Sequence, residues 1–503
     1  MGEKVLLIGI DGAPPDIIFK WAEEGLLPNI ASLMARGAYG RLISTIPPMT
    51  CPAWTSSITG VDIDKHGIYD FFLHLDMRRK KLFFANSRAR RIRALWNMLS
   101  RAGLSTVSLN MPVTYPPEKI KGAMISGLLT PSTKSDFTYP RSLKDELLDM
   151  GYRIDVGTPI DRMLLFREDP IKLLKEFLDL VEMRLRAALY LMEALDWDLF
   201  IAVFTAIDRV NHFFWDFLDR RHIDYKKNTG ILNIIIEIYK AVDDAVGKLV
   251  EKAGPRTDIV IYSDHGFRPL NYVVFFNSLL MAYGLLSVKK SSLKPTGLSR
   301  DVYFKLLHRL PFGNRLIKLI PMSFIREVGH FLKPSADMLS LSDIEPENTL
   351  AFQLGQIIHI NEEISDDEQK KEVINKVMEL VNKAERLTGI SGVVKEVPLP
   401  IGKRKAHIVA LCPKGDASTK HFIPANGRFV QEYQRLDDAS LPALIWSGDH
   451  ALEGTFVMAG PSIERRGLLE GPRIIDIAPT VLELLDLEIP SYMDGRPLAL
   501  KRR

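Results

Sequence analysis

Cysteine is almost missing. Cys51 and Cys412 are the two in 503 residues, too few and too far apart for a disulfide framework. A reducing, cytoplasmic setting is therefore expected. An excess of one charge is also missing, since the net charge is +4. Over this length, that argues against nucleic acid as the main partner. No apolar run reaches the ~20 residues that a membrane-spanning helix needs. The longest, from Tyr272 to Leu286, is interrupted by Asn277, Ser278 and Gly284, and the N-terminal run stops at Asp11, short of a signal-peptide core. There is no internal repeat and no low-complexity tract.

What is present is ordinary globular material. A hydrophobic share of 46% and a charged share of 25% exclude wholesale disorder. The length admits one large domain with an insertion, or two to three smaller domains. Lys4 to Ile10 is a short continuous run rich in Val, Ile and Leu, the pattern of a strand covered on both faces. Leu199 to Phe204 reads as another buried strand, and Ser105 to Leu109 and Asp258 to Tyr262 read as strands. Helical stretches are expected from Pro14 to Met34, Ser87 to Arg101, Pro170 to Ala194, around Asp208 to Leu218, and from Ile231 to Lys252. The alternation predicts an α/β domain with a mostly parallel sheet.

The character changes between Ser287 and Gln434. Lys289 to Pro334 carries ten Lys or Arg against Asp301 and Glu327, interleaved with apolar residues at helical spacing. Such a stretch reads as a solvated basic face on small helices, or as a surface that meets phosphate-bearing substrates or anionic lipid. A strand from Ile357 to Asn361, a helix from Asp366 to Leu387 and a strand from His407 to Leu411 predict a small α+β unit. Trp446 to His450 reads as a loop, Thr455 to Ala459 as a strand, and Asp476 to Thr480 as the opening of a helix. The expected organisation is a core over 1–286, an inserted cap over 287–434, and a return to the core over 435–503.

Four acid or imidazole clusters fall at or just after strand ends, where a parallel sheet opens its ligand crevice. They are Asp11, Asp208 with His212 four residues on, Asp264 with His265, and His450. Singly each has a plain account: an Asp after a strand often caps a helix, and a lone His is more often packed or exposed than a ligand. Together, three carboxylates and three imidazoles suit zinc or manganese, and are enough for two ions. Two such ions about 4 Å apart clamp an in-line displacement at phosphorus. The stretch Pro47 to Gly60 places Thr50 where a loop gives way to a helix. Thr50 can be the helix cap, or a nucleophile deprotonated by a metal at a helix end that favours phosphate.

These motifs, Ile8-Gly9-Ile10-Asp11-Gly12, Thr50-Cys51-Pro52 through Thr59-Gly60, His66-Gly67, Asp208-Arg209-Val210-Asn211-His212, Ser263-Asp264-His265-Gly266, Gly448-Asp449-His450, Asp476 to Thr480 and Asp494 to Leu498, resemble the alkaline phosphatase superfamily. Within it they are most similar to the type I phosphodiesterase/nucleotide pyrophosphatase branch, over about residues 4–285 and 435–500. The resemblance implies an alkaline-phosphatase-like sheet flanked by helices, and two divalent ions, zinc first and manganese second. It assigns one ion to Asp208, His212 and His450. The second falls to Asp11, Asp264 and His265, with Thr50 bound to it as the nucleophile. The implied activity is cleavage of phosphodiester or pyrophosphate bonds in a small phosphate ester, through a phospho-threonine. A phosphomonoesterase, a phosphotransferase or mutase, and a silent phosphate-ester binding protein are the alternatives.

Two positions depart from related patterns. Sulfatases carry their catalytic residue two before a proline, which is Thr50 here and not Cys51, and their following Arg is Trp54. Nucleotide pyrophosphatases place an Asn three residues after the nucleophile, where this chain has Ala53. Asn110, Asn211 or a backbone N–H near Thr50 is expected to supply that donor.

Overall fold

The computed structural model describes residues 4–76, 81–289, 338–339, 343–364, 366–399, 405–420, 423–424, 429–432, 446–464 and 466–498. The expected basic helices lie outside these residues, Lys289 excepted. The short strands read from the sequence become the centre of one sheet. Lys4–Ile10 lies between Leu199–Phe204 and Thr257–Tyr262 and is parallel to both. Thr106–Leu109 and Gly122–Ile125 continue the parallel order beyond Leu199–Phe204. Antiparallel partners close each flank: Thr138–Tyr139 on one side, Glu453–Ala459 and Ala38–Ile43 on the other, with Gly467–Leu469 outermost.

Successive residues of a strand point to opposite faces, and the first strand shows what that does. Leu6, Ile8 and Ile10 enter a core shared with the helices Pro170–Ala194 and Thr229–Ala253. Val5 and Leu7 enter a second core with the helices Thr50–Thr59, Leu95–Arg101 and Ile477–Leu484. Each such buried side chain stabilises the fold by roughly 1.5–3 kcal/mol. The carboxyl ends of the central strands therefore sit between two packed helix layers, a rigid mount for whatever follows them.

Two expected helices are shorter than their patterns. The first breaks into Pro15–Glu23 and Pro28–Arg36, because Pro28 suits a first helical turn, where a missing N–H costs nothing. Over 87–101 only a single turn, Ser87–Ala89, and the helix Leu95–Arg101 form. Asn86 Oδ1 accepts the Arg88 N–H at 3.0 Å and Asn97 Oδ1 accepts the Ala94 N–H at 3.0 Å, local bonds that compete with helix.

A second sheet, antiparallel, orders Ala351–Leu354, Ile357–Ile360, Lys405–Pro413 and Ile390–Pro398, with the helix Asp367–Thr388 packed on it. It is tied to the main body by Lys395 Nζ to Asp62 at 2.6 Å and by Arg91 to the Leu399 carbonyl at 2.6 Å. Nearer the main sheet, Tyr272–Val274 pairs with Ala417–Thr419 and Val430–Glu432. Among the described residues, no helix is long and apolar enough to cross a membrane.

Gly9 shows how closely the Thr50 helix is docked. A Cβ on Gly9 would lie 2.4 Å from Cη2 of the fully buried Trp54, and Trp54 is held against Tyr262 with ring centroids 5.0 Å apart. Gly9→Ala should cost about 1–3 kcal/mol through overpacking, read as a lower midpoint in urea denaturation; an unchanged midpoint would mean that the helix can give way.

Candidate metal centre

The strand ends deliver the acids. Asp11 leaves the first strand with its N–H on Phe204 O at 2.9 Å. Gly12 then turns with φ +66°, where a Cβ would meet the Asp208 backbone Cα at 3.0 Å, so a glycine lets the two strand ends close up. Leu199–Phe204 runs into the helix Ala206–Leu218, which carries Asp208 and His212 on one face. Asp264 and His265 follow Thr257–Tyr262. His450 lies on the strand Gly448–Ala451, paired with Gly266–Pro269, so the expected loop there is a strand. The expectation failed because its partner is about 180 residues away in sequence and the pairing is not a local signal.

All six expected side chains converge in two adjoining groups, Asp208 with His212 and His450, and Asp11 with Asp264 and His265. Within each group the ligand atoms lie within 4.8 Å of one another and every residue is buried. The imidazoles of His265 and His450 stack across the two groups with centroids 3.6 Å apart.

The proton positions follow from the backbone. His212 Nδ1 faces Gly448 O at 3.1 Å, His450 Nδ1 faces Pro48 O at 3.0 Å, and His265 Nδ1 faces Gly266 O at 3.2 Å. A carbonyl oxygen can only accept, so each Nδ1 carries a hydrogen, and in the neutral rings that can ligate a metal each Nε2 is left with a bare lone pair. Those lone pairs meet one another and the carboxylates. His212 Nε2 and His450 Nε2 are 3.0 Å apart, both lie 3.4 Å from Asp208 Oδ1, and His265 Nε2 is 3.1 Å from Asp264 Oδ2 and 3.6 Å from Asp11 Oδ1. Both Asp11 oxygens, Asp208 Oδ1 and Asp264 Oδ2 are buried without a hydrogen bond. Buried acceptors facing only acceptors are costly. These donor sets fit divalent cations, which would satisfy all of them at once.

Burial and mutual repulsion move these groups from their ordinary values. Burial, then Asp264 and Asp208, pushes the Asp11 carboxyl well above its usual range. Burial, then Asp208, pushes Asp264 up to about 7. Burial holds the His265 and His212 imidazoles below their ordinary value. Burial opposes ionisation of Asp208 as well, but positive charge on His212 and Arg209 beside it holds that carboxyl well below its usual range. Burial lowers the His450 imidazole, but Asp208 outweighs it and raises that ring, a pull toward positive charge that a bound cation would satisfy instead.

Thr50 is not a cap. Met49 holds the cap position in extended backbone, and Thr50 is the first residue of the helix. Its Oγ1 instead lies 3.4 Å from His265 Nε2, beside the Asp11 group. Cys51 points into an apolar cluster with Ile63, Tyr69 and Val113. Of the expected stand-ins for the donor missing at Ala53, Asn211 is already committed, giving Nδ2 to Gly12 O at 3.0 Å and accepting the Tyr239 hydroxyl at 2.8 Å. Asn110 donates to Val203 O at 3.0 Å from a left-handed backbone with φ 63°, and its Oδ1 is buried without a partner.

Several residues were not singled out in the sequence. Arg209 donates to Asp208 Oδ2 and is anchored at 3.0 Å on Asp155, which also takes Arg162 at 3.2 Å. Arg268 bonds the His450 carbonyl at 2.9 Å, and Trp446 stacks on the His212 ring at 3.9 Å. Arg209 and Trp446 stand beside recognised ligands, which was a usable signal; Asp155 carried none.

His66 is structural. Its Nδ1 accepts the Ile68 N–H at 3.0 Å, so Nε2 carries the hydrogen and donates to Ser56 Oγ at 2.8 Å, pinning the Thr50 helix. Burial pushes this imidazole down to about 3. An unfolded chain protonates it near the ordinary value of about 6.5, so its contribution is complete above that pH and is lost as pH falls toward 3. Between about pH 6 and 4.5, wild type should lose about 1.4 kcal/mol per pH unit more than His66→Gln in urea denaturation; equal slopes would mean that His66 protonates freely in the fold.

A profile of the family described as type I phosphodiesterase/nucleotide pyrophosphatase matches residues 5–312. A solved structure of human ectonucleotide pyrophosphatase/phosphodiesterase 5 superposes with a TM-score of 0.52 over 98% of this chain and 97% of that one, at 13% identity. That likeness is one of fold. A 2,3-bisphosphoglycerate-independent phosphoglycerate mutase from Rhodopirellula baltica is 44% identical over 55 residues, 10% of each chain. This chain thus spans about a tenth of the length of the curated relative that it matches.

Proposed function

The chain belongs to the type I phosphodiesterase/nucleotide pyrophosphatase family of the alkaline phosphatase superfamily, and from that membership we propose a two-metal phosphohydrolase that cleaves phosphodiester or pyrophosphate bonds through a phospho-threonine. The observation that carries the reading is the meeting of three imidazole lone pairs and three carboxylates beside the Thr50 hydroxyl.

Asp208, His212 and His450 would hold one ion, and Asp11, Asp264 and His265 the other, with Thr50 beside it. By its mixed nitrogen and oxygen donors the set favours zinc, with manganese second. When bound, such ions acidify a coordinated hydroxyl and neutralise charge on phosphoryl oxygens. Thr50 Oγ1 gives up its proton and bonds to phosphorus as the bond to the leaving oxygen breaks. Water then attacks the phosphorus, the P–Oγ1 bond breaks, and Thr50 regains a proton. With no amide side chain at Ala53, whose own N–H is bonded to Met49 O at 3.0 Å, the backbone N–H of Thr50 at the start of the helix supplies a hydrogen bond to the phosphoryl oxygens. Arg209, fixed by Asp155, keeps Asp208 ionised and aimed. The substrate is a small phosphate ester.

A transferase or mutase reading uses the same phospho-threonine with an acceptor hydroxyl in place of water, and the 55-residue match to a mutase favours keeping it. Release of free phosphate or of a nucleoside monophosphate, against transfer to an added alcohol, separates the two.

With bis-p-nitrophenyl phosphate as substrate, Thr50→Ala should lower kcat by about a thousandfold or more, while Cys51→Ala should stay within about threefold of wild type. Retained turnover in Thr50→Ala would remove Thr50 as nucleophile. Loss in a folded Cys51→Ala chain would move the chemistry one residue along.

A further inference from the structure

Beside the Asp208 group lies a buried lysine that the reaction above does not use. Lys420 follows the strand Ala417–Thr419, with its N–H on Val274 O at 3.0 Å. The residue is 9% exposed. Its ammonium stands 5.4 Å over the Trp446 ring, and Trp446 stacks on His212. A lysine that merely covered apolar surface would carry its charge out to water. This one ends two rings from a ligand group.

No carboxylate among the described residues pairs with it. Asp449, whose charge it feels, is already engaged: it lies 3.6 Å from Arg268 Nη2 and accepts the His450 N–H at 2.9 Å. Arg268 spends its other donors on the carbonyls of His450 at 2.9 Å and Gly415 at 2.8 Å. Among the described residues, the two buried cations thus share the buried Asp449, Arg268 feeling the half-buried Asp416 as well, and Lys420 has no carboxylate of its own where an unpaired ion is costly. Burial pushes the Lys420 amine below its ordinary value although Asp449 pulls the other way.

We propose that Lys420, set over Trp446, forms a subsite for a second anionic group of the substrate, on the Asp208–His212–His450 side of the centre. It rests on the phosphohydrolase reading and gives it a substrate class: esters or anhydrides whose departing group carries its own carboxylate or phosphate. Such a group supplies the missing counter-charge and accepts charge-assisted hydrogen bonds from the ammonium. A neutral alcohol does neither, and leaves the ammonium as it stands.

The test uses the zinc-loaded full chain and two non-ester probes in calorimetry, phosphonoacetate, which has a second anion, and methylphosphonate, which does not. Phosphonoacetate should bind wild type about tenfold or more tighter than methylphosphonate. That ratio should fall to near one in Lys420→Met, which keeps the volume and removes the charge, and return in Lys420→Arg. A wild-type ratio near one, or a ratio unchanged in Lys420→Met, overturns the subsite. Hydrolysis of bis-p-nitrophenyl phosphate by wild type is measured alongside. If it is absent while the ratio and its loss are present, the diesterase reading fails and the subsite stands.

Discussion

Three imidazoles that all give their Nδ1 hydrogen to backbone carbonyls present bare Nε2 lone pairs when neutral, and here those Nε2 atoms are buried against carboxylate oxygens. The carbonyls come from Gly448, Pro48 and Gly266. They sit on the paired strands Gly448–Ala451 and Gly266–Pro269 and on the loop that leads into Thr50. The backbone that shapes the site therefore also sets its tautomers. A change of tautomer at any one ring would need a backbone segment to move, so the centre is locked as an electron-rich cavity. Such an arrangement is stable when something positive fills it.

The rest of the molecule can be understood as what holds that arrangement in place. Alternate residues of the first strand enter separate cores, which fixes where Asp11 emerges. The Thr50 helix is pressed on the same strand through Trp54 at Gly9 and pinned from outside by His66 through Ser56. Arg209 and Asp155 brace Asp208 from the opposite side. Ala417–Thr419, paired with Tyr272–Val274, brings Lys420 from the far part of the chain to within two rings of the ligands. Packing energy spread over hundreds of residues thus supports a few costly buried charges.

Much of this was legible in the sequence where the signal was local. The central strands announced themselves, most clearly Lys4–Ile10 and Leu199–Phe204 as continuous apolar runs, and the six acid and imidazole residues gathered from the sequence are ones that the fold brings together. What escaped was non-local. His450 reads as loop because its strand partner follows Tyr262, far up the chain. Thr50 reads as a cap or as a nucleophile, and the sequence cannot show that Met49 takes the extended cap position while the Thr50 hydroxyl lies beside His265. Asp155 has no motif, and its role exists only through Arg162 and Arg209. The helix expected over 87–101 failed for a local reason, since the side chains of Asn86 and Asn97 outcompeted the helical bonds. The ring hydrogens, which decide the chemistry, depend on carbonyls from three separate segments and are invisible to any one-dimensional pattern.

The measurement that bears most directly on the central claim is the metal content of the purified full-length chain, by elemental analysis after exhaustive dialysis against metal-free buffer and reloading with zinc. The lone-pair geometry predicts two divalent ions per chain, falling toward one when Asp11→Asn or His212→Gln weakens one group. A folded, catalytically active chain that retains no divalent ion would contradict it.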